Sequence, residues 1–431
     1  MSAITKSVRG RRVTTASRPK VMIVINTAWN IYNFRAGLIR ALVDAGYEVV
    51  AVAPPDAFIS QLQALGCRFA ALPMKAHGKS LIGELALVYR FWRVLRDEQP
   101  DAYLGYTVKP NTYGSAMAAL LGVKVINNVS GLGTAFLHGG LLTLLVQGLY
   151  KLGLYGSKRV FFQNKDDLAL FVAKRLVRPT QAALLPGSGI DLKRFAPGVK
   201  LFNATPLDKT SVAGERDADR KNAEELRFLL LARLLHEKGV VEFVEAARSL
   251  KDQFPDARFQ LLGFLDAANP SAITPAMLHA WVDEGVVEYL GSTDDVRPFL
   301  AAADCVVLPS YREGTSRALL EAAAMGRPLI VSDVPGCREV VDPDVSGLIC
   351  NAKDARSLGD KLAQFAKFSS AERAAMGAAG RRKMEKEYDE KFVIDAYLTE
   401  LASHGFVLLP KVRVGNVNSQ PRDEVSRLGT L

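Results

Sequence analysis

Two rounds of alternation between short β-branched runs and longer helical patterns constrain the fold of this 431-residue chain more than any other feature. The first round starts at residue 21 and ends before residue 196, and the second starts at residue 226. Helices that connect parallel strands produce this alternation. Residues 196–225, between the rounds, are rich in Lys, Asp, Arg and Pro, as is typical of a linker or surface insertion. The sequence therefore predicts an α/β fold with two Rossmann-like, doubly wound parallel-sheet domains that face each other across a cleft.

The same patterns divide the chain into six segments. We expect a basic N-terminal arm, an N-terminal Rossmann-like domain, a charged linker, a C-terminal Rossmann-like domain, a terminal helix that packs back toward the N-terminal domain, and a tail. Their predicted ranges are, in that order, 1–19, 20–200, 201–225, 226–390, 391–405 and 406–431.

A formal net charge of +10 favours contact with anions such as nucleic acids, acidic lipid headgroups or phosphorylated substrates. We expect no nucleic-acid partner, because no run of interleaved aromatic and basic residues is typical of a single-strand binding surface. The four cysteines are scattered along the chain, which predicts buried thiols in place of a disulfide framework or a zinc site. They are Cys67, Cys305, Cys337 and Cys350.

Contact with an anionic membrane is left open by two parts of the chain. Residues 6–20 are basic and lack the apolar core of a signal peptide, so they fit either a disordered arm or an electrostatic membrane contact. Residues 139–155 are rich in leucine but fall short of the ~18–20 continuous apolar residues of a membrane span. They fit either a buried helix or an interfacial helix whose leucines enter a bilayer. Residues 90–96 combine basic and large apolar side chains, as a membrane-surface helix does.

The most informative motif is residues 309–321, in which Glu313 and Glu321 stand eight positions apart. The apolar run at residues 304–308 predicts a buried strand before it, and residues 318–325 predict a helix after it. Glu313 is therefore expected in a loop, and Glu321 one to two turns into a helix.

The residues between the two glutamates, Gly314, Thr315 and Ser316, fall at the predicted start of that helix. Free backbone N–H groups at a helix start attract anions. A loop carboxylate, an anion-binding helix start and a helix carboxylate together suit a ligand that carries both hydroxyls and phosphate, such as a nucleotide sugar. Glutamates near first helical turns are also common because they suit the helix dipole, so spacing alone does not exclude a structural role.

Two cations, Arg233 and Lys238, follow the first strand of the second round and precede a helix. Cations five residues apart at a strand end can converge on a diphosphate. Lys and Arg residues after a strand are usually solvated, so the two cations indicate a diphosphate site only in combination with the glutamate motif of the same domain.

These motifs together resemble those of the retaining family 4 glycosyltransferases, which have the GT-B fold, over roughly residues 20–400. The matching pieces, in the family's order, are residues 186–191 with Phe195, residues 232–234 with Lys238 and Gly239, Pro309 and Ser310 with Glu313 and Glu321, Gly326 with Pro328, and residues 335–339. Further pieces resemble bacterial transferases that build capsule, O-antigen or lipid-linked glycan. They are residues 33–35, 109–111, 113–114, 130–133 with Phe136, and 312–315.

The resemblance implies a role for each matching residue of the C-terminal domain. Arg233, Lys238 and Glu313 would be catalytic: the two cations would stabilise the departing diphosphate, and Glu313 would contact the transferred sugar. Glu321 would bind the ribose hydroxyls of the donor. The remaining donor-binding candidates are Gly314, Thr315, Ser316 and Arg317.

The resemblance also places the acceptor side of the cleft in the N-terminal domain. The candidates there are Asn30, Asn33, Arg35, Lys109, Asn111, Ser130, Gly131 and Gly133. Two departures from the family pattern matter. The Gly-Gly pair that many members carry after the first strand is replaced by residues 26–30, and residues 128–131 contain no histidine where many members have one.

A retaining transferase of this kind would move a sugar, with an N-acetylhexosamine as a candidate, from a UDP-sugar to a polyprenyl-diphosphate-linked saccharide. It would be cytoplasmic and peripherally associated with the anionic inner face of the cytoplasmic membrane. We expect no metal cofactor, because the two cations can neutralise the diphosphate, and residues 342–344 (Asp-Pro-Asp) are predicted to form a turn. The alternatives are a GT-B sugar-nucleotide epimerase and a non-catalytic two-domain protein that binds sugar nucleotides.

Overall fold

The computed structural model describes residues 18–74, 80–132, 140–198, 225–267 and 269–406. Nearly all of the predicted arm, linker and tail lie outside the described residues, as does Gly133.

The first domain is a parallel sheet with helices on both faces. Its strands are β1 (Lys20–Val24), β2 (Glu48–Ala53), β3 (Arg68–Ala71), β4 (Ala102–Tyr106), β5 (Lys124–Val129), β6 (Arg159–Phe162) and β7 (Ala182–Leu184). Its helices are α1 (Ala28–Asp44), α2 (Ile59–Ala64), α3 (Leu81–Glu98), α4 (Ser115–Leu120), α5 (Gly140–Leu154) and α6 (Lys165–Ala173). The strands lie in the order β3-β2-β1-β4-β5-β6-β7. The strand order reverses between β1 and β4, which is where such sheets bind ligands.

The second domain repeats this architecture. Its strands are β8 (Arg227–Leu231), β9 (Arg258–Leu262), β10 (Glu288–Tyr289), β11 (Cys305–Leu308), β12 (Leu329–Ser332) and β13 (Gly347–Cys350). The helices that follow β8 are α7 (Val240–Leu250), α8 (Pro275–Asp283), α9 (Arg297–Ala302), α10 (Arg317–Ala324), α11 (Ala355–Ala366), α12 (Ser370–Lys383) and α13 (Glu390–Ser403). The strand order is β10-β9-β8-β11-β12-β13, with all pairs parallel and the switch point between β8 and β11. The prediction of two doubly wound α/β domains is confirmed.

The apolar pattern of the sequence predicts a helix over residues 34–45, but helix α1 begins earlier, at Ala28. Thr27 caps the helix, because its hydroxyl accepts a hydrogen bond of 3.1 Å from the backbone N–H of Asn30. Because Asn30 and Asn33 are polar, the apolar pattern did not indicate the first two turns of the helix. Both asparagines therefore lie in the opening turns of α1, beside the switch point of the first sheet.

Helix α13, at the end of the described chain, packs against the first domain. Val393, Tyr397 and Leu401 are buried in the core that α1 forms with one face of that sheet. The chain crosses from the second domain next to Ile190, whose backbone N–H donates to the carbonyl of Tyr388 at 2.8 Å. The N-terminal domain is thus built from two distant parts of the sequence.

The interpretation of the leucine-rich segment as a buried helix is wrong. Helix α5 buries Tyr150, Gly153 and Leu154, but Leu141 is 86% exposed and several neighbouring leucines are also exposed. Helix α3 likewise starts with exposed apolar side chains, and α4 contacts both helices. We call the exposed set the apolar face; it consists of Leu81, Ile82, Leu85 and Tyr89 of α3 with Leu141, Leu142, Leu144 and Leu145 of α5.

All four cysteines are buried and unpaired, which confirms the prediction of buried thiols. Burial raises the pKa of the Cys67 thiol to about 11 and that of the Cys350 thiol to about 12. It also raises the pKa values of Cys305 and Cys337 well above their ordinary range. These thiols are therefore packing groups in the hydrophobic clusters of the two domains.

Candidate active site

A cavity of about 790 Å³ lies in the cleft between the two domains. The start of α1 lines it from the N-terminal domain, and the segments after β8, β9 and β11 line it from the C-terminal domain. Because β8 and β11 are neighbours at the switch point, the cavity lies where doubly wound sheets bind their ligands. The predicted site residues in its lining are Asn30, Asn33, Arg233, Lys238, Glu313, Ser316, Arg317 and Glu321.

Lys238 and Glu313 form an ion pair in the cavity lining. The Glu313 carboxylate also accepts a hydrogen bond of 2.8 Å from the Ser310 hydroxyl. The backbone N–H of Glu313 donates to the carbonyl of Pro335 at 3.0 Å. The predicted sugar-contacting carboxylate is therefore fixed by both its side chain and its backbone.

Close backbone packing brings the loops of this ion pair together. Gly239 ends the short 3-10 turn His236–Lys238 with a φ of 72°, a conformation that favours glycine. A Cβ at Gly239 would overlap the carbonyl of Pro309, in the loop after β11. Glycine at this position allows Lys238 to reach Glu313.

Arg233 lies at the rim of the same cavity. Its side chain is 47% exposed, and its Nη1 lies 3.3 Å from a carboxylate oxygen of Asp266. An exposed pair of this kind is weak, so the guanidinium can exchange this partner for an incoming anion at little cost.

Glu321 faces the cavity from the second turn of α10, and its carboxylate accepts a hydrogen bond of 2.8 Å from Arg317. Ser316, the N-cap of α10, makes no side-chain capping bond, and its backbone N–H donates to the carbonyl of Gly336 at 3.1 Å. The start of α10 therefore faces the cavity without a side-chain cap. Such a helix start attracts an anionic group.

Four of the acceptor-side candidates lie near the cavity. Asn30 and Asn33 line it directly. Ser130 and Gly131 lie instead against residues 312–316, which we call the donor loop. A Cβ on Gly314, in that loop, would overlap the carbonyl of Ser130, and a Cβ on Gly131 would lie 3.3 Å from the backbone nitrogen of Gly314.

Among the described residues, the other acceptor-side candidates are not in the cavity lining. Arg35 is buried inside the N-terminal domain, with its guanidinium carbon 4.4 Å from the ring centre of Tyr106. Lys109 pairs with Glu84 of α3 at 2.6 Å. Asn111 is buried in a network of amide hydrogen bonds. The structure does not bring these three together with the donor residues.

Sequence reasoning missed a contact between the start of α6 and the donor loop. The side-chain amide of Asn164 donates to the carbonyl of Gly314 at 2.8 Å, and Arg312 forms an ion pair with the fully buried Asp167. Burial raises the pKa of the Asp167 carboxyl, although the neighbouring Arg312 guanidinium acts in the opposite direction. Asn164 lies two residues after β6 and three before Asp167, a pattern that indicates a helix start but not a partner in the other domain.

Residues 342–344 form a turn, in which the backbone N–H of Val345 donates to the carbonyl of Asp342 at 3.1 Å. The Asp342 carboxylate lies 2.7 Å from Lys383. Within the ranges that the structure describes, no group of three or more His, Cys, Asp or Glu side chains could hold a metal ion.

Known proteins resemble both halves of the chain. Residues 33–187 match the family described as glycosyl transferase 4-like domain, and residues 225–367 match glycosyl transferases group 1. The N,N'-diacetylbacillosaminyl-diphospho-undecaprenol alpha-1,3-N-acetylgalactosaminyltransferase of Campylobacter jejuni is 29% identical over 86% of this chain and 94% of its own length. The UDP-Gal:alpha-D-GlcNAc-diphosphoundecaprenol alpha-1,3-galactosyltransferase of Escherichia coli is 25% identical over 68% of this chain and 73% of its own length.

Solved structures share the fold across both domains. A glycosyltransferase from Rickettsia africae has a TM-score of 0.70 at 14% identity and covers 90% of this chain and 99% of its own. HepE of Anabaena, solved with UDP and glucose, has a TM-score of 0.68 at 16% identity and covers 90% of this chain and 100% of its own. The chain therefore belongs to the GT-B glycosyltransferases that join a glycosyl transferase 4-like domain to a group 1 domain.

Proposed function

We propose that this glycosyltransferase moves a sugar, with retention of its anomeric configuration, from a UDP-sugar to a polyprenyl-diphosphate-linked saccharide. The observation that carries the proposal is one cavity bordered by two cation–carboxylate pairs and by the uncapped start of α10. The names of two relatives supply the substrate class: both act on an undecaprenol-diphosphate-linked sugar, and one uses UDP-Gal. An N-acetylhexosamine is the donor sugar that we would test first.

Transfer requires that negative charge developing on the leaving diphosphate be stabilised. Lys238 lies within the cavity lining and Arg233 at its rim, and the start of α10 adds backbone N–H groups. Charged and dipolar groups that are already in place cost no reorganisation during the reaction. Lys238 would turn from Glu313 toward the diphosphate, which leaves the Glu313 carboxylate free to accept a hydrogen bond from a hydroxyl of the sugar.

The Arg317–Glu321 pair suits the ribose. The Glu321 carboxylate accepts one hydrogen bond from Arg317 at 2.8 Å and keeps further lone pairs for ribose hydroxyls. Arg317 is also fixed by the carbonyl of Gly189, at 2.6 Å, in the segment between the domains. The ribose site is thereby tied to the segment around which the domains meet.

The apolar face supports a peripheral contact with the membrane that contains the lipid-linked acceptor. Leu81 and Leu141, near the starts of α3 and α5, are 82% and 86% exposed. Helices that follow strands start at the carboxyl edge of a sheet, which is also the edge that borders the cleft. A bilayer on the apolar face would therefore lie beside the cleft.

No described helix has the length and apolar character needed to span a membrane. We propose that the protein works at the inner face of the cytoplasmic membrane.

The decisive experiment supplies the purified protein with a panel of nucleotide sugars and a polyprenyl-diphosphate-linked saccharide. We expect release of UDP that depends on the acceptor, together with a lipid-linked product one sugar longer and α-linked. Sugar isomerisation without acceptor would identify an epimerase instead. Binding of nucleotide sugars without any turnover would identify a non-catalytic binding protein.

A further inference from the structure

Both domains hold the donor loop in place. On the side of the C-terminal domain, the backbone N–H groups of Glu313 and Ser316 donate to the carbonyls of Pro335 and Gly336, at 3.0 and 3.1 Å. On the other side, the N-terminal domain binds the residues directly before and after Glu313. Arg312 pairs with Asp167, and the carbonyl of Gly314 accepts from Asn164.

Asn164 and Asp167 are also held by hydrogen bonds within the N-terminal domain. Asn164 caps α6, because its side-chain oxygen accepts a hydrogen bond of 2.7 Å from the backbone N–H of Asp167. Its amide group lies 3.1 Å from the Asp167 carboxylate. A fully buried carboxylate is costly to desolvate and keeps its charge only with good partners. The start of α6 therefore offers the loop a rigid set of partners.

This arrangement has a consequence for Glu313, whose carboxylate lines the cavity although Asn164 and Asp167 do not. With the backbone on either side of it bound to α6, the position of Glu313 depends on the N-terminal domain. We propose that Asn164 and Asp167 are positioning residues that hold the donor loop in the geometry needed for transfer. The proposal rests on the proposed function, in which Glu313 contacts the transferred sugar.

The test compares Asp167→Asn with the control Asp166→Asn. Asp166 also reaches across the domains, but it is exposed and lies 3.5 Å from Arg338, so its loss should leave kcat within twofold. We expect Asp167→Asn to lower kcat at least ~10-fold, because small errors of placement are costly in catalysis. The affinity for UDP, measured by calorimetry, should change less than threefold. Arg312→Gln, which removes the same ion pair from the side of the other domain, provides the measurement should Asp167→Asn not fold.

A double-mutant cycle separates positioning from a general structural effect. In a Glu313→Gln background, Asp167→Asn should cause less than a threefold further loss of kcat, because its target is already gone. An equal loss in both backgrounds, an unchanged kcat in the single variant, or a matching loss of UDP affinity would overturn the proposal.

Hydrogen exchange provides a readout that needs no turnover. Peptides covering residues 311–317 should exchange faster in Asp167→Asn than in the wild type, while peptides covering β8 should not. If the wild type transfers no sugar to the lipid-linked acceptor but this local change occurs, the positioning contact stands and the proposed substrates fail. If the wild type transfers sugar normally, and Asp167→Asn shows the same turnover and the same exchange of the donor loop, the positioning role fails and the proposed function stands.

Discussion

Lys238 and Glu313, which come from the loops after β8 and β11, form an ion pair in the lining of the interdomain cavity. Both side chains are mostly buried. The cation expected to hold the diphosphate and the carboxylate expected to contact the sugar are thus adjacent before either meets its ligand. This adjacency couples the two halves of the donor site.

Replacement of Lys238 by alanine should lower turnover at least ~100-fold, as loss of one contact to the developing charge does elsewhere. It also leaves the Glu313 carboxylate without its cation. Acceptor-dependent UDP release measures the effect. Lys251→Ala is the matched control, since Lys251 is exposed and its ammonium donates to the carbonyl of Glu284, which is not one of the donor residues. A rate near that of the wild type in Lys238→Ala would contradict the assignment.

Replacement of Glu321 by alanine should also lower turnover at least ~100-fold at subsaturating donor. The reason is loss of a carboxylate that accepts hydrogen bonds from the ribose hydroxyls. Calorimetry with UDP and 2′-deoxy-UDP tests this reason directly. The wild type should prefer UDP, and the variant should bind both nucleotides alike; a preference that survives in the variant would exclude the ribose role.

Replacement of Gly314 by alanine should separate the donor loop from the N-terminal domain, because the added Cβ would overlap the carbonyl of Ser130. A displacement of about 1 Å can reduce turnover on the order of 100-fold. Gly148→Ala is the control, because a Cβ at Gly148 of α5 meets open space. Steady-state kinetics and thermal melting measure both variants. Equal turnover in the two would show that the loop tolerates the displacement.

Charges on the apolar face should weaken membrane binding. Leu141→Glu combined with Leu145→Glu should reduce partitioning onto vesicles of anionic lipid at least ~10-fold, because each leucine side chain contributes about 1.5–3 kcal/mol when it leaves water. UDP binding should be unchanged. Val282→Glu, which changes an exposed valine of the C-terminal domain, is the control. Unchanged sedimentation of the double variant with vesicles would show that another surface makes the contact.

Chelation should leave turnover within twofold of the untreated rate. The reason is that Arg233, Lys238 and the start of α10 can together stabilise the diphosphate. Activity assays with and without EDTA measure this. Complete loss with EDTA, restored by manganese, would show that a divalent cation takes part.

The sequence predicted those parts of the site that local rules govern. Glu313 was correctly predicted in a loop and Glu321 in a helix, because the strand, the loop and the helix follow each other within a few residues. The partners of Arg312 could not be found in this way, since Asp167 lies 145 positions earlier and in the other domain. A contact of that kind arises only when both sheets are in place.

The exposure of α5 was also beyond local reasoning. A leucine-rich helix has the same composition whether another element covers it or not, and only the arrangement around α4 shows that Leu141 and its neighbours are uncovered. Asn111 and Arg35 show the opposite case. The family resemblance placed both on the acceptor side of the cleft, but these two side chains are buried among partners of their own domain.

The return of α13 to the first domain has a consequence for the order of folding during synthesis. Val393, Tyr397 and Leu401 belong to the core around α1, yet they are translated after both sheets. The N-terminal domain, which leaves the ribosome first, therefore completes its core last. Until then, the surface of α1 that these side chains cover is open to solvent and to chaperones.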